Sequence, residues 1–203
     1  MMDRESKIVL IKEKMAIHNG IMKTGELYEE CSLNYHSFKM ILNDGVLKKV
    51  KNGYYALAED NMNDDELIAA LFSDGVLCLE SALYYHGYIK DKPFQYHIAI
   101  DKNTSKSRFE IDAPVVVPYY TEPEVLTLGV TVTELNGRPM KIYDKDRMIC
   151  DILKYENKLP HELVKNALFT YIMDSEKNVE HLLSYAIERK VKNKVQNRIG
   201  AWL

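Results

Sequence analysis

NYHSFKMILNDGVLKKVKNGYYAL, residues 34–57, is the stretch on which the fold turns. At about 100° per residue, Tyr35, Phe38, Ile41 and Leu42 fall on one side of a helix and His36, Lys39, Met40 and Asn43 on the other. One side is predicted to face a core and the other to be free. Gly45 stands where a left-handed C-cap is expected, so the helix ends near Asp44 and the chain turns into a strand over residues 46–50. Asn52-Gly53 predicts a tight hairpin, because a type I′ turn needs positive φ at both central residues and this pair tolerates it. Lys48, Lys49 and Lys51 crowd one arm and the tip, and Tyr54 and Tyr55 open the return arm.

Upstream, KIVLIKEKMAIHNG (residues 7–20) predicts an amphipathic helix with Ile8, Val9, Ile11 and Met15 inward, ending at Gly20. Thr24 opens a second helix as its N-cap. Three helices followed by a hairpin, with a short turn before the third helix, make a winged helix-turn-helix. In that motif the third helix enters a major groove and the hairpin touches the neighbouring backbone. The helix therefore offers Asn34, His36, Ser37, Lys39, Met40 and Asn43 to DNA, and the hairpin offers Lys48, Lys49, Lys51, Asn52 and Tyr54. Ser37 and Asn43 can hydrogen-bond base edges, Met40 can meet a thymine methyl, and the lysines can neutralise phosphates.

The chain has 203 residues, 46% of them hydrophobic and 28% charged, enough for a real core under a charged surface. No apolar run is long enough for a membrane span, and the charged start MMDRESK leads into no signal-like stretch; a cytoplasmic protein is expected. The net charge of -3 excludes a uniformly basic nucleic-acid binder, but its distribution is uneven. Residues 1–58 carry a surplus of two positive charges, residues 177–203 a surplus of four, and residues 59–176 a deficit of nine. Attraction to phosphate is screened within about 10 Å at moderate salt, so a basic end can bind DNA while the total stays negative.

The polar, acidic stretch AEDNMNDDE (residues 58–66) suits a linker or the cap of a new helix, which divides the chain into domains 1–58 and 64–203. Beyond it, DELIAALF and LESALYYHGYI predict short helices, and the Val-, Ile-, Thr- and Tyr-rich segments between residues 94 and 143 predict strands, with Asn136-Gly137 a second hairpin turn. From Asp144 onward DKDRMICDILKYE, LPHELVKNALFTYIMD, NVEHLLSYAIERK and VQNRIGAWL predict helices. The fold class is thus α+β: a winged helix-turn-helix followed by a mixed α+β domain with a helical end.

GELYEECSLNYHSFKMILNDGVLKKVKNGYYAL (residues 25–57), CLESALYYHG (78–87), YDKDRMICDILKYENKL (143–159), ALFTYI (167–172) and LLSYAIERKV (182–191) together resemble the AbiEi family of transcriptional-regulator antitoxins, found in type IV toxin–antitoxin and abortive phage-infection systems. The resemblance runs almost end to end. It implies an N-terminal winged helix that represses its own operon and a C-terminal domain that supplies antitoxicity; operators read by winged helices are commonly two half-sites, so an inverted repeat of double-stranded DNA is expected. It also implies a counterpart toxin of the nucleotidyltransferase class that is counteracted without a stable complex, although solitary regulators share the family name. Two copies, monomeric or weakly dimeric in solution, would bind the operator cooperatively. No cofactor and no catalytic activity are expected. The basic residues Arg189, Lys190, Lys192, Lys194 and Arg198 are the predicted antitoxicity surface, where a cationic face could hold nucleotide or RNA phosphates.

Three other chemistries compete. Asp144, Asp146 and Asp151 cluster beside Arg147 and could hold Mg²⁺ for phosphoryl transfer. Against this, Asp144 and Asp146 suit an N-cap and first turn, Arg147 and Asp151 are spaced as an intrahelical pair, and no Gly-rich phosphate loop accompanies them. Cys31 near His36 could make a metal sensor, yet Cys31, Cys78 and Cys150 are far apart and read as buried thiols, and the histidines show no metal-ligand pair. An acidic middle could dock a basic partner, but a solvated acidic surface accounts for the same charge count.

Overall fold

The computed structural model describes residues 3–202. By internal contacts the chain divides into two compact units, Met1–Phe72 with Glu110–Ala113, and Ser73–Phe109 with Pro114–Leu203. The first unit runs α1 (Arg4–Ile17), β1 (Met22–Lys23), α2 (Thr24–Glu30), α3 (Tyr35–Asn43), β2 (Leu47–Lys51), β3 (Tyr54–Leu57) and α4 (Asp64–Leu71). Its antiparallel sheet has the order β1-β3-β2. A helix, a short strand, two more helices and a hairpin that pairs back onto that strand form a winged helix-turn-helix. The two-residue strand β1 is too short to leave a periodicity in sequence.

Phe38 is the keystone of this unit. It is 4% exposed and meets Tyr28 and Tyr55 edge-on, at centroid distances of 5.6 and 5.0 Å. Ile11 and Met15 of α1, Leu27 of α2, Ile41 of α3 and Leu47 and Leu57 of the hairpin complete the core. Val9 and Tyr35, expected inward, are 56% and 69% exposed. The core positions of their helices are held instead by Ile11 and Met15 of α1 and by Phe38 and Ile41 of α3. Lys23, not Thr24, is the N-cap of α2; its backbone N–H is held by Glu26 at 2.7 Å, while the Thr24 hydroxyl donates to the Gly53 carbonyl. After β3 the acidic stretch is held against the same unit, through Lys12 to Glu59 at 2.9 Å and the Lys48 ammonium on the Asp60 carbonyl. The contacts accordingly group α4, which the sequence reading places in domain 64–203, with the first unit.

The second unit contains β4 (Val76–Leu77), α5 (Leu79–Tyr85), β5 (Gln95–Asp101), β6 (Val115–Thr121), α6 (Pro123–Leu126), β7 (Val130–Leu135), β8 (Arg138–Tyr143), α7 (Lys145–Lys154), α8 (His161–Met173), α9 (Val179–Glu188) and α10 (Lys192–Ile199). The five-stranded sheet has the order β6-β5-β4-β8-β7, with β5/β6 and β4/β8 parallel and the remaining pairs antiparallel. The β7–β8 hairpin turns at Asn136-Gly137, both left-handed at φ 50° and 80°. α7 is central, packed against α5, α8, α9 and α10, and eight of its ten residues are buried, so its charged side chains must find partners inside.

They do. Arg147 and Arg189 share the Asp151 carboxylate at 3.3 and 2.7 Å, and all three residues are at most 4% exposed. The Arg147 guanidinium also donates to the Val125 and Leu128 carbonyls and lies 4.1 Å from the centre of the Tyr143 ring. Room for it exists only because residue 129 is glycine: at φ +70°, a Cβ there would stand 2.6 Å from the Arg147 Cβ.

A buried neutral histidine gives this unit a pH-dependent stability. His97 on β5 is 2% exposed, its Nε2 lies 2.9 Å from the Gln95 amide nitrogen, and burial lowers its pKa from 6.5 to about 4. The unfolded chain gains a proton near pH 6.5 that the folded chain refuses until about pH 4. Stability is therefore full above the unfolded value and lost as pH falls through that window, by up to about 3 kcal/mol. Urea unfolding between pH 7.5 and 4.5 should show this loss, and His97→Gln should flatten it.

Candidate nucleic-acid interface

The outward face of α3 is built by its two ends. At the N-terminus Asn34 and Ser37 cap each other reciprocally: Asn34 Oδ1 accepts from the Ser37 N–H at 2.8 Å and Ser37 Oγ accepts from the Asn34 N–H at 3.0 Å. At the C-terminus Arg4 of α1 grips the Asp44 carboxylate with two nitrogens, at 3.0 and 2.7 Å, and Gly45 takes the left-handed turn at φ 71°. Phe38 and Ile41 pin the inner side. With both ends and one face fixed, His36, Lys39, Met40 and Asn43 stand exposed on the other.

Two predicted readers are therefore committed elsewhere. The Asn34 Oδ1 and the Ser37 hydroxyl are engaged in the cap, which gives both residues a positioning role. Tyr35 joins the exposed set in their stead, with the Lys39 ammonium 5.8 Å from its ring centre. An aromatic at the end of an apolar stripe can face either way, so periodicity alone could not place it.

The wing differs from its sequence reading in the turn. Gly53 has φ 78° but Asn52 is not left-handed, and the register shifts between Lys49 and Lys51. This is a bulged hairpin rather than a type I′ turn, and the extra residue rotates the lysines out of register. Lys49 is exposed. Lys48 is half-buried on the Asp60 carbonyl, and Lys51 is 8% exposed with its ammonium 4.6 Å from the Tyr54 ring centre. Lys23 flanks the same ring at 5.9 Å. Asn52 stands exposed at the tip and Tyr54 is half-buried between the two lysines. The wing thus presents Lys49, Asn52 and Lys23 outward, and Lys48 and Lys51 are structural.

The other predicted sites separate similarly. Asp144 and Asp146 converge with His181 rather than Asp151, their ligand atoms all within 4.8 Å of one another. Each carboxylate already has donors: Asp144 accepts from the Arg147 N–H and the Tyr185 hydroxyl at 2.7 and 3.1 Å, and Asp146 from the Tyr171 hydroxyl and the Asn178 N–H at 2.7 and 2.9 Å. Burial pushes the Asp144 carboxyl up and both tyrosines above their ordinary value. The arrangement ties α7 to α8 and α9. Asp151 belongs to the buried arginine pair, so the proposed three-aspartate constellation does not assemble. Cys31, Cys78 and Cys150 are buried free thiols, and among the described residues no metal-ligand group includes Cys31 or His36.

The basic C-terminal residues do not make one exposed face. Arg189 is buried on Asp151, while Lys194 and Arg198 hold Glu156 at 2.9 and 3.0 Å; Lys190 and Lys192 remain exposed. Among the described residues no helix is long and apolar enough to cross a membrane.

No protein-family model matches the chain, and no curated protein is significantly similar to it. Among solved structures its fold is similar to that of the RV2827C protein from Mycobacterium tuberculosis, with a TM-score of 0.62 and 13% identity, covering 89% of this chain and 71% of that one. At that identity the likeness is one of fold alone.

Proposed function

We propose that the protein is a sequence-specific DNA-binding transcriptional regulator, and that it serves as the autorepressing antitoxin of an AbiEi-type system. The observation that carries the first half is the outward face of α3, where Tyr35, His36, Lys39, Met40 and Asn43 stand exposed on a helix fixed at both ends and beside a wing. Hydrogen-bonding, cationic and apolar groups on one face of a helix suit the mixed donor, acceptor and methyl pattern of a major groove. Lys49 and Lys23 suit the flanking phosphates. The antitoxin half rests on the resemblance along the chain. On that reading the protein works in the cytoplasm without a cofactor, two copies occupy an inverted repeat, and a nucleotidyltransferase-like toxin is counteracted without a lasting complex.

Salt titration tests the DNA-binding reading. Replacing Lys49 by Gln should flatten the plot of log affinity against log salt by roughly one unit, because one phosphate contact is lost. Lys48→Gln and Lys51→Gln should leave that slope unchanged, since their ammonium groups are held within the protein. Equal slopes for all three variants and the unmodified protein would place the DNA surface elsewhere. Growth rescue on co-expression with a nucleotidyltransferase toxin from a neighbouring gene tests the antitoxin half, and its absence would leave a solitary regulator.

A further inference from the structure

A groove of about 540 Å³ opens in the second unit along α8, with α10 and the segment after α7 supplying the rest of its lining. One end is apolar. Leu168, Phe169, Ile172, Met173, Ile199 and Trp202 line it, and Phe169, Met173 and Trp202 are 66%, 70% and 67% exposed. Three large side chains held in water around one concavity have no explanation in the packing of the unit.

The other end is polar and carries excess positive charge. His161 and Lys165, on the first turns of α8, lie toward the end of the helix opposite Met173, about 18 Å and about 12 Å from it at 1.5 Å per residue. Arg198 joins them in the lining. The carboxylate of Glu156 at this end is already shared by Lys194 and Arg198, so that triad keeps one positive charge over. Lys165 has Glu162 at 3.6 Å, with both side chains mostly in water, where such a pair attracts weakly. The N-terminus of α8, whose cap Pro160 supplies no side-chain acceptor, adds its dipole at the same end.

We propose that this groove binds a small anionic amphiphile, a carboxylate bearing an apolar chain or ring. The acid lies toward Lys165 and Arg198 and the apolar body toward Phe169, Ile172 and Trp202. The volume falls in the range of small-molecule sites, and the lengthwise polarity of the walls selects the charge and orientation of the ligand.

Trp202 is the single tryptophan of the chain and lies in the lining, so its emission reports occupancy directly. Decanoate, added to the intact protein below its aggregation concentration, should give a saturable one-to-one blue shift. Decyltrimethylammonium, with the same chain and opposite charge, should bind at least about tenfold more weakly, and the double variant Lys165→Gln/Arg198→Gln should lose about that factor for decanoate alone. Phe169→Glu, at an exposed position, should abolish the shift with the far-UV circular dichroism unchanged, and the surface substitution Lys165→Gln alone stands in should the double variant fail to fold. Equal affinity for the two chains, no saturation, or full decanoate binding by folded Lys165→Gln/Arg198→Gln or Phe169→Glu protein would overturn the proposal.

Discussion

Asp151→Ala is expected to cost the second unit about 3–5 kcal/mol, the range for removing one partner of a fully buried ion pair. Among the described residues the Asp151 carboxylate is the one shared by two buried guanidinium groups, Arg147 and Arg189. Without it two like charges remain in the interior, because a guanidinium group stays charged in proteins. Arg147 would keep its carbonyl acceptors at Val125 and Leu128, whereas Arg189 would lose the carboxylate that both its Nε and its Nη2 face. Urea unfolding followed by circular dichroism at neutral pH measures the loss. Two comparisons separate this mechanism from loss of any ion pair. Asp74→Ala, which breaks the more exposed Arg108 pair, should change stability by no more than about 1 kcal/mol. Replacing all three buried charges by apolar residues of similar volume should recover most of the Asp151→Ala loss, because the cost lies in the uncompensated charges.

This cluster also shows what the sequence could disclose. The spacing of Arg147 and Asp151 reveals an intrahelical pair, and the structure has one. That the pair is buried, and completed by Arg189 at the C-cap of α9, is a matter of packing across 38 residues of chain, which no local pattern carries. The same blindness misassigned the basic C-terminal residues as one surface: Arg189 and Lys190 are adjacent in sequence, but one points inward and the other outward. Where each residue's role is local, reading succeeded. The α3 stripe of Phe38 and Ile41, the Gly45 cap, the Asp144 N-cap and the Asn136-Gly137 turn all follow from rules acting over a few residues. Asn52-Gly53 obeys the same rule in sequence but is overridden by the pairing of β2 with β3. The interface residues divide likewise, since the side of α3 that faces out was legible, while the capture of Asn34 and Ser37 by the cap and the burial of Lys51 were not.

The second large effect concerns the outward face of α3. Base-edge contacts are each worth roughly 1–3 kcal/mol of discrimination, so His36→Ala/Lys39→Ala/Asn43→Ala should weaken operator binding by roughly two to three orders of magnitude. Stability should change little, because all three side chains are exposed and none is part of the core around Phe38. Binding to random DNA should weaken by less than about tenfold, since only Lys39 among the three offers a charge to phosphate.

The most direct test is fluorescence anisotropy of the intact protein on labelled duplex DNA from upstream of its own gene, against a scrambled duplex of equal length at one fixed salt concentration. The unmodified protein should prefer the upstream duplex by about a thousandfold or more, the lower end expected of specific binders. The triple α3 variant should lose most of that preference and bind both duplexes weakly. Equal binding of the two duplexes by the unmodified protein, or an undiminished preference in the folded variant, would contradict sequence-specific recognition by this helix.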